Sequence, residues 1–286
     1  MLPGRHEPSP DRPHVPPPLG GCDIMVAMSE DPWSALADHF VDEASTSVKG
    51  RVRSYVLHQH LLDHLPPPPA AILDVGGGAA HQALPLARGG YDVTVLDSSP
   101  AMLSKAEQRL RSEPAEVRER VHLVHGSGED ASRVLGGRSF PAVLCHGVLM
   151  YLDEPHTLVT SLRECLAPGG VLSLMALNAK TLAVLPALRH EWTDALAALE
   201  ARTERGVLGV PTRADTVEEL SELLRARGVD PLAWYGVWLF ADWMDLTTAT
   251  ADEVAQIAEV ELRASRQDPY RRLSRVFHLI GRRQTT

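Results

Sequence analysis

Three consecutive glycines follow a short apolar run in the stretch AILDVGGGAAHQALPLARGGYDVTVLD. They are Gly76, Gly77 and Gly78, and the next apolar run along the chain ends in the acid Asp97. Glycine allows the backbone to approach a ligand closely, and the helix-like segment after the glycines offers N–H groups. The stretch is therefore typical of a loop that holds a nucleotide-like ligand.

Two ligand classes use a glycine loop of this kind. A dinucleotide site requires the pattern G-x-G-x-x-G, because the helix that follows must meet a pyrophosphate. Counted from Gly76 the sixth residue is His81, and counted from Gly77 the third residue is Ala79, so the pattern fails in both registers. S-adenosylmethionine has no pyrophosphate and makes weaker demands on the later glycine, so the loop is compatible with this second ligand.

The glycine loop belongs to a region in which short apolar strands alternate with helical segments. This alternation is typical of parallel strands joined by crossover helices that cover both faces of the sheet. The predicted fold class is α/β, with a Rossmann-like, doubly wound and mostly parallel sheet. Strands are predicted over 71–75, 91–97, 121–126, 141–147 and 171–177, and helices over about 80–88, 100–112 and 155–166.

The last third of the chain has a different pattern. A helical stretch over about 179–204 precedes a helix whose ends are marked by Thr216 and Gly228. Two late strands with a helix between them predict a C-terminal edge hairpin on the sheet. These elements are predicted over 232–243 (strand), about 250–264 (helix) and 275–283 (strand).

The chain divides into a tail and one domain. Residues 1–30 are rich in proline and glycine and have no apolar periodicity, which predicts a disordered tail. We expect residues 31–286 to form a single domain. Within it, N-terminal helices occupy 31–69, the cofactor-binding core occupies 70–178, and the substrate-side helices and late strands occupy 179–286.

The composition limits the class of protein. Of the 286 residues 44% are hydrophobic and 23% are charged, which is enough to bury a sizeable core. No apolar run approaches the length of a membrane span, and the three cysteines form no CxxC pair. We therefore expect a cytoplasmic protein with no membrane attachment. The net charge of −9 argues against bulk electrostatic binding of nucleic acid.

Positive charge is nevertheless concentrated near the C-terminus. One interpretation is a solvated surface, and the other is a local site for a phosphate-bearing or carboxylate-bearing substrate. Between residues 263 and 283 the single acid is Asp268, and the arginines are Arg263, Arg266, Arg271, Arg272, Arg275, Arg282 and Arg283.

Several motifs together resemble the class I S-adenosylmethionine-dependent methyltransferases. They are the D-x-G-G-G at Asp74, the acid Asp97 after the second strand, GSGED at 126–130 and LAPGGVLSL at 166–174. Over residues 33–283 the chain resembles in particular the tRNA 5-carboxymethoxyuridine methyltransferase family, whose members methylate the carboxylate of a modified wobble uridine. The matching stretches are VKGRVR, ILDVGGG, LCHGVLMYLDEP, LAPGGVLSLMALNA and QDPYRRLSRVFHLIGRR.

The resemblance implies a class I methyltransferase fold, S-adenosylmethionine as cofactor and tRNA modification as the activity. It places Asp97 at the ribose hydroxyls of the cofactor. The backbone at Gly76 and Gly77 matches the position that faces the methionine part, and Gly78 is a further cofactor-binding residue of this loop. Gly128 and Glu129 match positions along the adenine.

Three further side chains are candidates for the site. Arg53 matches a family position that binds the cofactor. Its guanidinium would form two hydrogen bonds to the carboxylate of the cofactor. His146 matches a position near the methyl donor and is the candidate catalytic residue, although it could also cap a strand end without a chemical role. A carboxylate acceptor is ionised at neutral pH and needs no base, so an arginine such as Arg275 would orient it. A hydroxyl or amine acceptor would need a base such as His146.

A metal site is not expected. His60 and His64 lie four residues apart in the segment HQHLLDH and could chelate a metal, but no acid or cysteine partner is identifiable. A partly exposed helical face is the favoured interpretation of this pair.

The acceptor allows two interpretations, either tRNA or a small molecule. A small metabolite is favoured by the net charge, by Met150 where the family tends to carry an acid, and by the segment 179–206, which could cover a small pocket. A nicotinamide-dependent oxidoreductase and a non-catalytic binding module are the remaining alternatives.

Overall fold

A seven-stranded sheet is the centre of the structure. The computed structural model describes residues 47–206, 211–244 and 246–285, which all belong to one unit, Trp33–Thr286. The tail predicted over 1–30 and the first part of the predicted N-terminal helices lie outside the described residues. The strands are β1 (Ala71–Val75), β2 (Asp92–Asp97), β3 (Val121–His125), β4 (Phe140–His146), β5 (Leu166–Leu177), β6 (Thr203–Arg205), β7 (Pro211–Arg213), β8 (Val229–Val237) and β9 (Val276–Arg283).

The strand order of the main sheet is β3-β2-β1-β4-β5-β9-β8. The first five strands are parallel, whereas β9 pairs antiparallel with both β5 and β8. The predicted fold class is therefore confirmed, including the late pair of strands at the edge. Strands β6 and β7 form a separate two-stranded sheet.

Helices connect the strands, and several begin where the sequence supplies a capping side chain. The Ser99 hydroxyl caps the helix that starts at Pro100, and complete capping boxes at Thr216 and Thr250 open two later helices. The helices are α1 (Val48–Leu62), α2 (Ala83–Arg88), α3 (Pro100–Leu110), α4 (Ala115–Arg118), α5 (Ala131–Val134), α6 (His156–Cys165), α7 (Val184–Leu188), α8 (Trp192–Ala198), α9 (Val217–Arg225) and α10 (Ala251–Ala264).

Two late segments differ from their predictions. The stretch 179–204 is not continuously helical, since α7 and α8 are separated by His190, which has a φ of +64°, and the chain then enters β6. Strand β8 ends at Val237, before the predicted end, because Trp238 adopts a φ of +60° and leaves the extended conformation.

Both faces of the sheet are covered by apolar side chains. Ile72 of β1 belongs to one buried cluster, while its neighbours Leu73 and Val75 belong to another. This division follows from the alternation of side chains along a strand. No helix in the described ranges is both long and apolar enough to cross a bilayer.

One edge of the sheet collects the ends of several strands. The parallel strands have their carboxyl ends there, and Val276 at the start of β9 pairs with Leu177 of β5 and Val237 of β8. In open α/β sheets this edge is where ligands bind. The loops that carry the predicted site residues therefore come together at this edge.

Candidate functional site

The glycine loop turns tightly after β1. Gly76 has a φ of +68° and donates its N–H to the Leu96 carbonyl at 2.7 Å. A side chain at Gly76 would overlap the Val148 side chain, and a Cβ at Gly77 would lie 2.7 Å from Oδ2 of Asp74. The loop can therefore take this course only with glycine at these positions.

Asp97 is fixed by the loop that it faces. Oδ2 accepts the Gly78 N–H at 2.8 Å, and Oδ1 accepts the Ser99 N–H at 2.9 Å. The side chain is buried, with 9% exposed. A carboxylate has about four acceptor positions, so these two bonds are compatible with further hydroxyl donors from a ligand. The acid is thus held in place at the carboxyl end of β2, and its contact with a ribose stays a prediction.

The helix after the loop begins later than predicted. Residues 79–82 form turns, Ala80 has a φ of +60°, and α2 starts only at Ala83 and is six residues long. A pyrophosphate site needs a helix N-terminus directly after the glycines. This geometry does not supply one, which argues against a dinucleotide.

Arg53 affects the pKa values of two buried groups at this edge, Asp74 and His146. Asp74 pairs with Leu144 in the ladder between β1 and β4, so its side chain shares a face with that of His146, two residues further along β4. Burial and the nearby Asp97 raise the pKa of Asp74 to about 7, while Arg53 on α1 acts in the opposite direction. Burial and Arg53 lower the pKa of His146 to about 3, so the imidazole is neutral at physiological pH.

Asp74 lies near the end of β1, directly before the glycine loop. Oδ2 of this carboxyl is buried and has no hydrogen-bond partner within the described residues. The loop is held by Asp97. A raised pKa on a buried acid beside a ligand loop is typical of functional sites.

Gly128 and Glu129 lie in a single 3₁₀ turn after β3. A Cβ at Gly128 would lie 2.7 Å from Val75 and 2.9 Å from Leu158, so helix–strand packing explains this glycine. The Glu129 side chain is exposed and lines a surface depression with Arg227 and residues of α6. Their placement along the adenine stays a prediction.

Arg275 is engaged by the protein itself. Its side chain is 15% exposed and forms ion pairs with Glu204 and Asp242, the latter at 3.5 Å. These pairs argue against the prediction that its guanidinium holds an acceptor carboxylate. Other arginines of the C-terminal cluster are paired as well, which favours the surface interpretation: Arg263 with Glu259, Arg266 with Asp63, and Arg271 and Arg272 with Asp268.

Comparisons with known proteins agree with this geometry. Residues 73–172 match Methyltransf_12, a methyltransferase domain family. The chain is 27% identical over 259 residues to the tRNA 5-carboxymethoxyuridine methyltransferase of Escherichia coli (strain K12), with 90% of this chain and 97% of that protein covered. The chain is an S-adenosylmethionine-dependent methyltransferase.

Two further proteins extend this comparison. The methyltransferase is 30% identical over 148 residues to a ubiquinone biosynthesis O-methyltransferase of Xanthomonas axonopodis pv. citri (strain 306), with 52% of this chain and 60% of that protein covered. An S-adenosylmethionine-dependent methyltransferase of Thermotoga maritima has the same fold, with a TM-score of 0.59, 16% identity, and 88% of this chain and 99% of that chain covered. The predicted fold class, enzyme class and cofactor are thereby confirmed.

The methyltransferase site has a neighbour that sequence reasoning did not identify. Trp238 is in the left-handed region with a φ of +60°, which is a strained conformation for a bulky residue. Its indole N–H donates to the Lys49 carbonyl at 2.9 Å, and its ring lies 4.5 Å from Lys49 Nζ and 5.7 Å from the Arg53 guanidinium. In the sequence this tryptophan reads only as one residue of a strand.

Of the two histidines in the segment HQHLLDH, His60 lies on α1 and differs from the expectation, whereas His64 follows the helix and is partly exposed as expected. His60 is fully buried, and His64 is half-buried and bonds the Tyr235 hydroxyl at 2.6 Å, so the expected partly exposed face is wrong for His60. No group of three or more His, Cys, Asp or Glu side chains suited to a metal is found among the described residues. Helical spacing alone gave no sign that His60 points into the interior.

Proposed function

We propose that this methyltransferase transfers the methyl group of S-adenosylmethionine to a carboxylate on a modified wobble uridine of tRNA. The observation that carries the proposal is the extent of the match to the tRNA-modifying relative. That match covers 97% of the relative, so it includes the substrate-side segments after β5 as well as the cofactor core. The match to the ubiquinone-pathway relative covers only 52% of this chain.

The residues at the sheet edge fit the cofactor by their chemistry. Asp97 would accept hydrogen bonds from the ribose hydroxyls, and the loop from Gly76 to Gly78 would face the methionine part. Arg53 would bind the carboxylate of the cofactor. The buried Asp74 carboxyl, whose Oδ2 has no partner within the described residues, suits a nearby cationic group. When bound, the cofactor supplies a methyl group on a positively charged sulfur.

A carboxylate acceptor makes modest demands on the protein. It is already ionised at neutral pH, so no side chain has to remove a proton from it. The rate then depends on aligning the acceptor oxygen with the methyl group and on excluding water. The Trp238 ring lies beside the site against Lys49 and Arg53 and is the surface that we assign to the acceptor. Lys49 itself is paired with Asp242. We place this reaction in the cytoplasm, as the cysteine usage indicates.

The test is methyl transfer from labelled S-adenosylmethionine to tRNA that carries 5-carboxymethoxyuridine. The matched control is the same tRNA with an unmodified uridine at that position. We expect label only in the first, and we expect mild alkali to release it, because a methyl ester is hydrolysed by base. Alkali-stable label, or equal labelling of both tRNAs, would overturn the proposal.

A small-molecule acceptor is the second candidate. It is favoured by Met150, which is half-buried and packs against the apolar cluster around the start of α1 and the end of β5. Apolar side chains of α8, among them Trp192 and Leu196, are exposed in the segment predicted to cover a small pocket. Label that enters the small molecules of a cell extract, with none in tRNA, would favour this candidate.

A further inference from the structure

A continuous chain of hydrogen bonds runs from the site into the interior of the protein. It begins at His146 and passes through two strands and one helix. The bonds join His146 Nε2 to Ser173 Oγ at 2.7 Å, Ser173 Oγ to His278 Nε2 at 2.6 Å, His278 Nδ1 to His60 Nδ1 at 3.3 Å, and His60 Nε2 to Ser265 Oγ at 2.8 Å.

The chain is buried beyond its first member. Ser173, His278 and His60 are 0% exposed, and Ser265 is 1% exposed. The strand register places the first members on one face of the sheet, since Ser173 pairs with Leu144 of β4 and His278 pairs with Met175 of β5. The Tyr235 ring stacks on His60 with the ring centres 4.1 Å apart, so the rings are fixed by packing as well.

The hydrogen bond that Ser265 makes at the inner end of this hydrogen-bond chain determines which group donates and which accepts in the other bonds. The Ser265 hydroxyl donates to the Leu262 carbonyl at 2.7 Å, because a carbonyl oxygen can only accept. A hydroxyl has one proton, so Ser265 must accept the bond from His60. The proton of a neutral His60 ring therefore lies on Nε2.

The donor and the acceptor of each remaining hydrogen bond follow from this assignment. A neutral imidazole carries one proton, so Nδ1 of His60 accepts, and His278 must donate from its own Nδ1. Nε2 of His278 accepts the Ser173 hydroxyl proton, which leaves Ser173 to accept from Nε2 of His146. Nδ1 of His146 is left without a proton.

The reverse direction requires one additional proton inside the protein. With His60 protonated on both nitrogens, every bond from there to His146 would invert. Burial lowers the pKa of His60 to about 3, with Arg266 contributing, and lowers the pKa of His278 well below its usual value. The three histidine rings of this hydrogen-bond chain are therefore neutral at physiological pH.

We propose that Ser173, His278, His60 and Ser265 are positioning residues that hold His146 in the tautomer with its proton on Nε2. The site then has an imidazole nitrogen, Nδ1, that accepts a hydrogen bond from an N–H or O–H group and cannot donate one. The proposal rests on the proposed function only in placing the methyl-transfer site at the carboxyl end of β4.

The test is ¹⁵N NMR of the histidine rings in the ligand-free protein at neutral pH. The His146 signals are assigned by their loss in His146→Gln. We expect the pattern of a protonated Nε2 and an unprotonated Nδ1. A protonated Nδ1, or a ring with both nitrogens protonated, would overturn the proposal. This result does not depend on any substrate, so it is separate from the outcome of the tRNA assay.

Two variants test whether the chain itself fixes the tautomer. Ser173→Ala removes the direct partner, and Ser265→Ala removes the far end, which does not contact His146. We expect each to change the tautomer ratio of His146 about fivefold or more, the equivalent of one lost hydrogen bond.

The control is Ser161→Ala, a change of another buried serine, on α6, whose hydroxyl has no hydrogen-bond partner in the described ranges. It should leave the His146 signals unchanged. His146 signals that stay unchanged in Ser265→Ala would show that the chain does not position this ring. This variant decides the matter even if Ser173→Ala fails to fold.

Discussion

Asp97 has a structural role that precedes any ligand. Its two oxygens accept the amide protons of Gly78 and Ser99, which lie in the loops after β1 and β2. The same carboxylate thus ties the glycine loop to the strand beside it, and in the proposed site it would also face the ribose. A substitution here changes both the loop and the ligand contact.

Gly76 can be compared with Gly136, a glycine with a similar φ at which an added Cβ would contact no other atom. Gly76 and Gly136 have φ values of +68° and +64°, but only at Gly76 would a Cβ overlap another side chain. We expect Gly136→Ala to lower the free energy of unfolding by about 1–2 kcal/mol through the backbone alone. Gly76→Ala should lower it further and also weaken binding of S-adenosylhomocysteine.

The measurements are urea unfolding and calorimetric titration of both variants. Equal losses of stability with unchanged binding would show that the turn at Gly76 is not part of the site.

Among individual residues, the sequence predicts those whose amino-acid type and spacing define a role. The glycine loop and Asp97 were found from spacing, since few other residues permit that geometry. The sequence does not predict the conformation of Trp238 or the burial of His60, because a left-handed φ and a buried hydrogen-bond chain depend on contacts between distant segments.

Among the elements, α10 fixes the loop that follows β8. Glu261 on this helix is 1% exposed and accepts three backbone amides, those of Leu239 at 2.9 Å, Phe240 at 2.7 Å and Ala241 at 2.7 Å. These residues come directly after Trp238. The helix therefore holds the aromatic residue of the site in its strained conformation from a distance.

Glu261→Gln should release this loop. The amide keeps one oxygen but turns donor hydrogens toward backbone donors, so we expect a loss of about 2–4 kcal/mol in the free energy of unfolding. The control is Glu259→Gln on the same helix, where an exposed ion pair with Arg263 is lost and the change should stay within about 0.5 kcal/mol. Similar unfolding midpoints for the two variants would contradict this role of Glu261.

The sequence predicts well those elements whose ends are determined by nearby residues, such as a capping side chain. The capped helices at Thr216 and Thr250 and the strand at 71–75 agree closely with the structure. The stretch 179–204 was not, because its alanine and leucine content favours a helix while its break at His190 and its entry into β6 depend on the rest of the fold.

The whole molecule should lose stability in mild acid because its interior contains uncharged histidines. The pKa values of His60 and His146 are lowered to about 3 in the folded state. A lowered pKa contributes stability that is complete above the unfolded value of about 6.5 and is lost as the pH falls toward 3. Each such ring changes the free energy of unfolding by about 1.4 kcal/mol per pH unit in that window.

Asp74 acts in the opposite direction. Its pKa is raised to about 7, so the stability that it contributes is complete below about 4 and is lost as the pH rises to 7. The buried rings, which include His278, outnumber this one carboxyl. We therefore expect net destabilisation as the pH falls below about 6.5.

Urea unfolding between pH 7 and pH 5 measures this dependence. His60→Gln should reduce its slope by about 1.4 kcal/mol per pH unit, whereas His122→Gln, at an exposed position of β3, should not change it. An unchanged slope in His60→Gln would contradict the assignment of the acid sensitivity to this buried ring.

The measurement that tests the central claim most directly is calorimetric titration with S-adenosylhomocysteine, and separately with NADH. We expect wild type to bind only the first, and Asp97→Asn to bind it at least about tenfold more weakly, as for loss of hydrogen bonds to a charged group. Asp92→Asn, at the start of the same strand, should bind like wild type. Failure of wild type to bind S-adenosylhomocysteine, or equal binding by Asp97→Asn, would contradict the placement of the cofactor at this edge of the sheet.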